Sequence, residues 1–282
     1  MPSDIRALRN NPEAYAAELR RRWGGLLSYR YIGRRMAAMD DGPVDNTVTL
    51  RRDMRNASGG LLLAVLGIAA PEGGGMSDLD AVPNPVIHSC QLLEDGRDVA
   101  RIAIETEVLK RGAGMSFSRS RIVDADDPTR VIALTSGQGA SIGTPPEGLV
   151  RIETEPIDIV DAPDLPPLWQ VFGGARRDNG VWSLPALTDE LASPDAALHI
   201  GPQFVLLETA AMDALGDAAA QGVSSHVMFV ARGKVGPFRI EAEAAGTHAA
   251  RAQLFDEGDD NRLVSVASFQ FETCDESAGI VS

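Results

Sequence analysis

The chain is poor in cysteine, histidine, aromatic residues and cationic charge, and each shortage argues against a class of function. Its two cysteines, Cys90 and Cys274, form no CxxC pair, which argues against a disulfide framework or a structural zinc site. The four histidines, at 88, 199, 226 and 248, are scattered with no HExxH, so neither a metal nor a cofactor is expected. Lys and Arg total 26 against 40 Asp and Glu, a net charge of −14. A general nucleic-acid binder needs a basic footprint, so no nucleic acid is expected as a partner. The longest apolar run, Leu61 to Pro71, is too short for the ~20 residues of a membrane span. The opening MPSDIRALRNNPEAY is polar and does not read as a signal peptide. A reducing, cytoplasmic location is the default expectation.

What is present is enough chain for two ordinary domains, 282 residues. Residues 11–22 read as an amphipathic helix with Pro12 near its start. A short strand, DNTVTL, covers 45–50. The run NASGGLLLAVLGIAA, 56–70, reads as a helix apolar on every face, which must be buried all round. Residues 71–85 are a Gly, Asp and Pro loop. Strand patterns follow at 86–93, 99–110, 115–123 and 131–139. Residues 144–168, rich in Pro, Asp and Glu, read as a linker with room for an edge strand inside it, which sets an N-terminal domain at 1–143 and a C-terminal domain at 169–282.

The second half repeats the order of the first. DNGVWSL, 178–184, parallels DNTVTL, and the apolar helix GPQFVLLETAAMDAL, 201–215, parallels 56–70. SSHVMFVARGK, 224–234, is a strand, in which His226 aligns with Cys90. FRIEAEAAG, 238–246, parallels IAIETEVLK, and 251–268 parallels 119–136. Arg119, Asp124 and Arg130 match Arg251, Asp256 and Arg262 at one constant offset. Matches in the same order along both halves point to an internal duplication. Each unit is a strand, a buried helix and three or more antiparallel strands, an α+β arrangement with a sheet wrapped around a helix.

That unit resembles the hotdog fold. The run His199-Ile200-Gly201 followed by Glu208 is similar to the site of hotdog acyl-CoA thioesterases of the hydroxybenzoyl-CoA and phenylacetate-pathway type. There a His-Gly-Gly turn opens the central helix and an acid stands nine residues after the His. Ile200 replaces the first Gly of that turn, and Ser193 stands where the family has a substrate-orienting Asn or Gln. The resemblance implies two tandem hotdog domains hydrolysing an acyl-CoA substrate, without a cofactor. It also allows pairing of such double units into a homo-oligomer.

Glu208 carries the chemistry in this reading. It is the one charge in FVLLETAAM, on a helix expected to be buried, where a lone carboxylate is costly unless paired or protonated. Desolvation would raise its pKa and fit it to act as base or nucleophile. The structural alternative is a wet seam between the halves. The resemblance makes His199 an orienting residue, and the amides of Ile200 and Gly201, at the positive end of the helix, an oxyanion site. Ordinary helix-start chemistry would explain the same residues. In the first half Ser58, Gly59, Gly60 and Gly67 align with His199, Ile200, Gly201 and Glu208. That half therefore reads as a degenerate site, with Gly59 and Gly60 lining the acyl pocket. Asp53 and Asn56 could face the site or cap the helix, and capping is the simpler role. Arg232, Lys234, Lys110 and Arg111 are the candidate cations for CoA phosphates, against the plainer reading of solvated turn charges. His88 and His226 read as structural and His248 as solvated. Gly139-Ala140-Ser141-Ile142-Gly143 fits the G-x-S-x-G pattern, but Thr-Pro-Pro follows in place of the helix that pattern needs. GQGASIG has the wrong spacing for a dinucleotide loop. Two other functions compete. One is a hotdog hydratase or dehydratase of enoyl or 3-hydroxyacyl thioesters, whose signature Leu198-His199 and Pro202 partly match. The other is a non-catalytic acyl-binding protein.

Overall fold

The computed structural model describes residues 2–38, 45–71, 83–112, 114–149 and 152–272. Cys274 and most of the loop expected at 71–85 lie outside them. Helix α1 (Pro12–Gly25) starts where the Asn11 side chain accepts the Ala14 N–H at 3.1 Å, with Pro12 where no amide partner is needed. Helix α2 (Leu27–Arg30) follows. Strand β1 (Met36–Ala38) pairs with β7 (Ile152–Thr154), inside the segment expected as a linker.

The other described strands form one antiparallel sheet of eleven. From the first part of the chain it takes β2 (Thr47–Thr49), β3 (Pro83–Leu92), β4 (Arg101–Arg111), β5 (Met115–Asp124) and β6 (Val131–Ser141). From the later part it takes β8 (Ala175–Arg176), β9 (Trp182–Leu184), β10 (Gln221–Phe229), β11 (Phe238–Ala244), β12 (Ala249–Asp256) and β13 (Arg262–Glu272). The order is β2-β4-β5-β6-β3-β10-β13-β12-β11-β9-β8. Outward from the β3–β10 seam, both sides therefore place their strands in the same order, with β8 added at one edge. One row of paired residues runs Glu107, Arg119, Ser136, Ser89, His226, Ser268, Arg251, Glu243. It reads alike from either end except at its centre. Arg119 and Arg251 hold equivalent places, as the sequence match requires. The centre corrects the alignment of His226 with Cys90, because the position equivalent to His226 is Ser89.

Alternation along the strands sends one set of side chains toward the helices. Val227, Ala252, Leu254, Ala267 and Phe269 are buried there. Over this face lie α3 (Leu63–Ala69) and α5 (Ile200–Leu215), with α4 (Leu168–Val171) beside α5. Every residue of α3 is buried. The helix expected from residue 56 begins only at Leu63. Asn56 Oδ1 accepts from the Ser58 N–H, the Ser58 hydroxyl and the Gly60 N–H, a local alternative to helical bonding. Gly59 has φ of +89°, which a helix cannot contain. The strand expected to reach residue 234 also ends early, at Phe229.

Candidate active site

Glu208 sits on α5 and is 2% exposed. Its Oε1 accepts the Leu63 N–H at 2.9 Å and its Oε2 accepts the Ala64 N–H at 2.7 Å. These are the first amides of α3, which lack intrahelical partners and carry the positive end of the helix dipole. Two opposed effects act on the carboxyl. Burial raises its pKa, the two amides lower it, and burial dominates, leaving it at about 7.

The carboxylate faces a cavity of about 440 Å³. Leu62, Leu168, Trp169, Trp182, Val205 and Met212 form its apolar walls. The two tryptophan rings meet edge to face, centroids 5.1 Å apart. The Trp182 indole N–H donates to Asp213, fixing the ring. Sequence reasoning passed over both tryptophans, although the chain has only three. Asp53 also lines the cavity, its carboxylate held by Arg51 at 3.0 Å. Arg55 is the one cation on the wall among the described residues. Its guanidinium is spent on the carbonyls of Gly59, Gly96 and Val99.

The other expected site residues fall elsewhere. His199, Ile200 and Gly201 open α5, and nine residues of helix set His199 roughly 13 Å from Glu208 along the axis. His199 Nδ1 lies 2.7 Å from the Ser28 hydroxyl of α2 and accepts the Gly201 N–H at 3.3 Å. Its ring meets Tyr29 edge to face. Burial, with Arg232 nearby, lowers its pKa to about 3, so it stays neutral. A β-carbon on Gly201 would lie 2.2 Å from the Ser28 hydroxyl oxygen, so this end of α5 is closed over by α2. Ser193 donates to Asp195 and to the Ala197 carbonyl. Arg232 pairs with Asp195, and Lys234 donates to the Asp195 carbonyl at 3.1 Å. Lys110 and Arg111 stand at the far end of β4. None of these residues lines the Glu208 cavity. Gly59 and Gly60, expected to line the pocket, are not on its wall either; they belong to the turn that leads into α3.

Two helix alignments are corrected as well. The N-caps of α3 and α5 are Leu62 and His199. Leu62 therefore stands where His199 stands, and Gly67 matches Phe204 rather than Glu208. Residues that look aligned in sequence are one helical turn out. Asn56 does not cap α3. His88 is buried, its Nε2 donating to the Ala70 carbonyl, and burial lowers its pKa to about 4. Ser141 ends strand β6, which is not the strand-to-helix turn of a nucleophile elbow. Among the described residues no His, Cys, Asp and Glu side chains cluster as a metal site.

Neither the family models nor the curated proteins compared with the chain give a match. Solved structures do. An acyl-ACP thioesterase from Bacteroides thetaiotaomicron aligns over 80% of this chain and 96% of its own, at 13% identity and TM-score 0.50. The tesB protein of Mycobacterium avium subs paratuberculosis aligns over 83% and 96%, at 14% identity and TM-score 0.50. The 12:0-ACP thioesterase from Umbellularia californica aligns over 82% and 99%, at 9% identity and TM-score 0.51. The chain shares their fold. With its antiparallel sheet packed on α3 and α5, it fits the hotdog arrangement that the sequence resembles. No described helix of the chain is long and apolar enough to cross a membrane.

Proposed function

We propose that the chain hydrolyses acyl thioesters at Glu208, with α3 supplying the amides that face it. The observation that carries this is a fully buried carboxyl, poised at about pH 7, on the wall of an apolar cavity beside a helix N-terminus. A base with a pKa near the working pH is well matched to abstract a proton from water. In the reaction Glu208 takes one proton of a water whose oxygen attacks the thioester carbonyl. The carbon–sulfur bond breaks, and the proton passes to the departing thiolate. Direct attack by the carboxylate, which breaks the carbon–sulfur bond, expels the thiolate and gives an acyl anhydride that water then opens to two carboxyl groups, uses the same group. The positive end of α3 favours a carbonyl oxygen that gains negative charge. The acyl group would occupy the cavity between Trp169, Trp182 and Met212. Two of these neighbours are thioesterases named for acyl-ACP, which supports a thioester substrate and leaves CoA or a carrier protein as the donor. The equivalent strand orders and the near-palindromic row also support descent from a duplicated hotdog unit. The fused pair then has halves near 1–143 and 169–282, and one Glu208 site shared between them.

A panel of acyl-CoA and acyl-ACP thioesters, scored for free thiol, tests the reading. Glu208→Gln should lower turnover by a factor of about 10² or more while far-UV and near-UV spectra stay unchanged. Near-normal thiol release by that variant would falsify the assignment. Hydration of a trans-2-enoyl thioester without thiol release would instead indicate a hydratase. A second reading has its own observation: both carboxylate oxygens already hold amides, so Glu208 could serve only to fasten α3 to α5. In that case Glu208→Gln loses stability, and the wild-type chain binds acyl thioesters without releasing thiol.

A further inference from the structure

The segment that delivers the amides to Glu208 is held from the other side of the seam. Helix α3 has no side-chain N-cap, so its first amides sit where the incoming turn puts them. Gln221, the first residue of β10, reaches that turn. Its Nε2 donates to the Leu61 carbonyl at 2.9 Å and to the Gly222 carbonyl at 3.1 Å. Its Oε1 accepts from Asn56 Nδ2 at 3.2 Å. Asn56 Nδ2 also donates to the Ala220 carbonyl at 3.1 Å, while Asn56 Oδ1 accepts the Gly60 N–H at 2.9 Å. The fit is close. A β-carbon on Gly60 would lie 1.6 Å from Gln221 Oε1. A β-carbon on Gly222 would lie 2.8 Å from Leu63 Cδ1 and 3.2 Å from Glu208 Oε1. One two-residue stretch, Gln221-Gly222, thus packs on the turn, on the helix that donates and on the carboxylate that accepts.

We propose that Gln221 and Asn56 are positioning residues for the Glu208 site, a side-chain latch across the seam that sets the α3 amides on the carboxylate. The proposal rests on Glu208 being the working group. Gln221 itself touches neither the cavity nor the carboxylate. A small misplacement of positioning elements is enough to cost a large factor in rate. The other titratable or charged groups around Glu208 are Cys90, Asp53, Arg55, Asp213 and Asp217, and the latch alters none of them directly.

The test is Gln221→Met, which keeps length and volume but removes the amide, beside Asn56→Ala and Asn56→Asp. In the full chain, Gln221→Met and Asn56→Ala should lower kcat roughly 10- to 100-fold with KM changed little. Asn56→Asp keeps the bond from Gly60 and should fall between Asn56→Ala and the wild type. The acid limb of the pH profile should move to higher pH, since loosened amides no longer favour the charged carboxylate. Titration of the Glu208 carboxyl by infrared difference spectroscopy, assigned with Glu208→Gln, reads the same movement without any turnover. If Gln221→Met fails to fold, Asn56→Ala is read in the same way. A moved titration with lost kcat supports the latch. An unmoved titration with wild-type kcat overturns it. A moved titration in a chain with no thioesterase activity supports the latch and removes the proposed function instead.

Discussion

At the scale of single residues, Glu208 sets a stability signature as well as a chemistry. Its pKa is raised from 4.5 to about 7. The native state therefore holds its proton more tightly than the unfolded chain does. The stabilisation from the protonated form is complete below pH 4.5 and is lost as pH rises through 7. By the linkage relation the loss approaches about 3 kcal/mol. Urea midpoints should thus fall between pH 5 and 8, and Glu208→Gln should flatten that fall. A variant whose midpoints decline as steeply as the wild type would contradict the burial argument. His88 and His199 act in the opposite direction. Their pKa values are lowered to about 4 and about 3, so the unfolded chain takes up protons first as pH drops below 6.5. Their contribution is present above pH 6.5 and is lost toward pH 4. Imidazole resonances of these two residues should remain those of the neutral ring at pH 5. Protonation of either ring at that pH, in the folded protein, would refute the placement.

At the scale of elements, α3 and α5 differ because of what precedes them. His199 caps α5 from the helix's own sequence, whereas α3 waits for a turn organised by Asn56 and Gly59. Their crossing explains Gly67. A β-carbon there would lie 3.0 Å from the Phe204 ring, while Phe204 itself packs against His88 and Phe229. In an open helix Gly→Ala gains up to ~1 kcal/mol. Here crowding should win, so Gly67→Ala is expected to lower stability by about 1–3 kcal/mol. The melting temperature checks this, and a rise would mean that the crossing has slack.

At the scale of the molecule, the seam makes one sheet out of two sets of strands. Pairing of Ile87–Gln91 with Ser224–Met228 covers what would be an open edge on each side. The turn before α3 also depends on Gln221 across the seam. Residues 1–143 or 169–282 expressed alone should therefore be insoluble or self-associated, and co-expression should restore a soluble complex. Light scattering after size exclusion reads this outcome. A folded, monomeric half would show that the seam is dispensable.

The sequence by itself determined most strands of the large sheet, the repeat in their order, the burial of both helices and the oddity of Glu208. These follow from periodicity and from the cost of an apolar-helix carboxylate, both local properties of the chain. Only the tertiary structure decided what Glu208 faces. Sequence spacing joined it to Ile200 and Gly201 on its own helix, but a helix keeps residues eight apart roughly 12 Å away from each other. The amides that reach it belong to α3, more than a hundred positions earlier in the chain. The same holds for Gln221, which carries no local signal and acquires its role only where β10 meets the turn before α3. The cations picked out for coenzyme A met a similar end: Arg232 turns to the Asp195 carboxylate and Lys234 to the Asp195 backbone carbonyl, partners that only the tertiary fold brings beside them. Contacts between residues distant along the chain leave no period and no motif, and the candidate active site is made of such contacts.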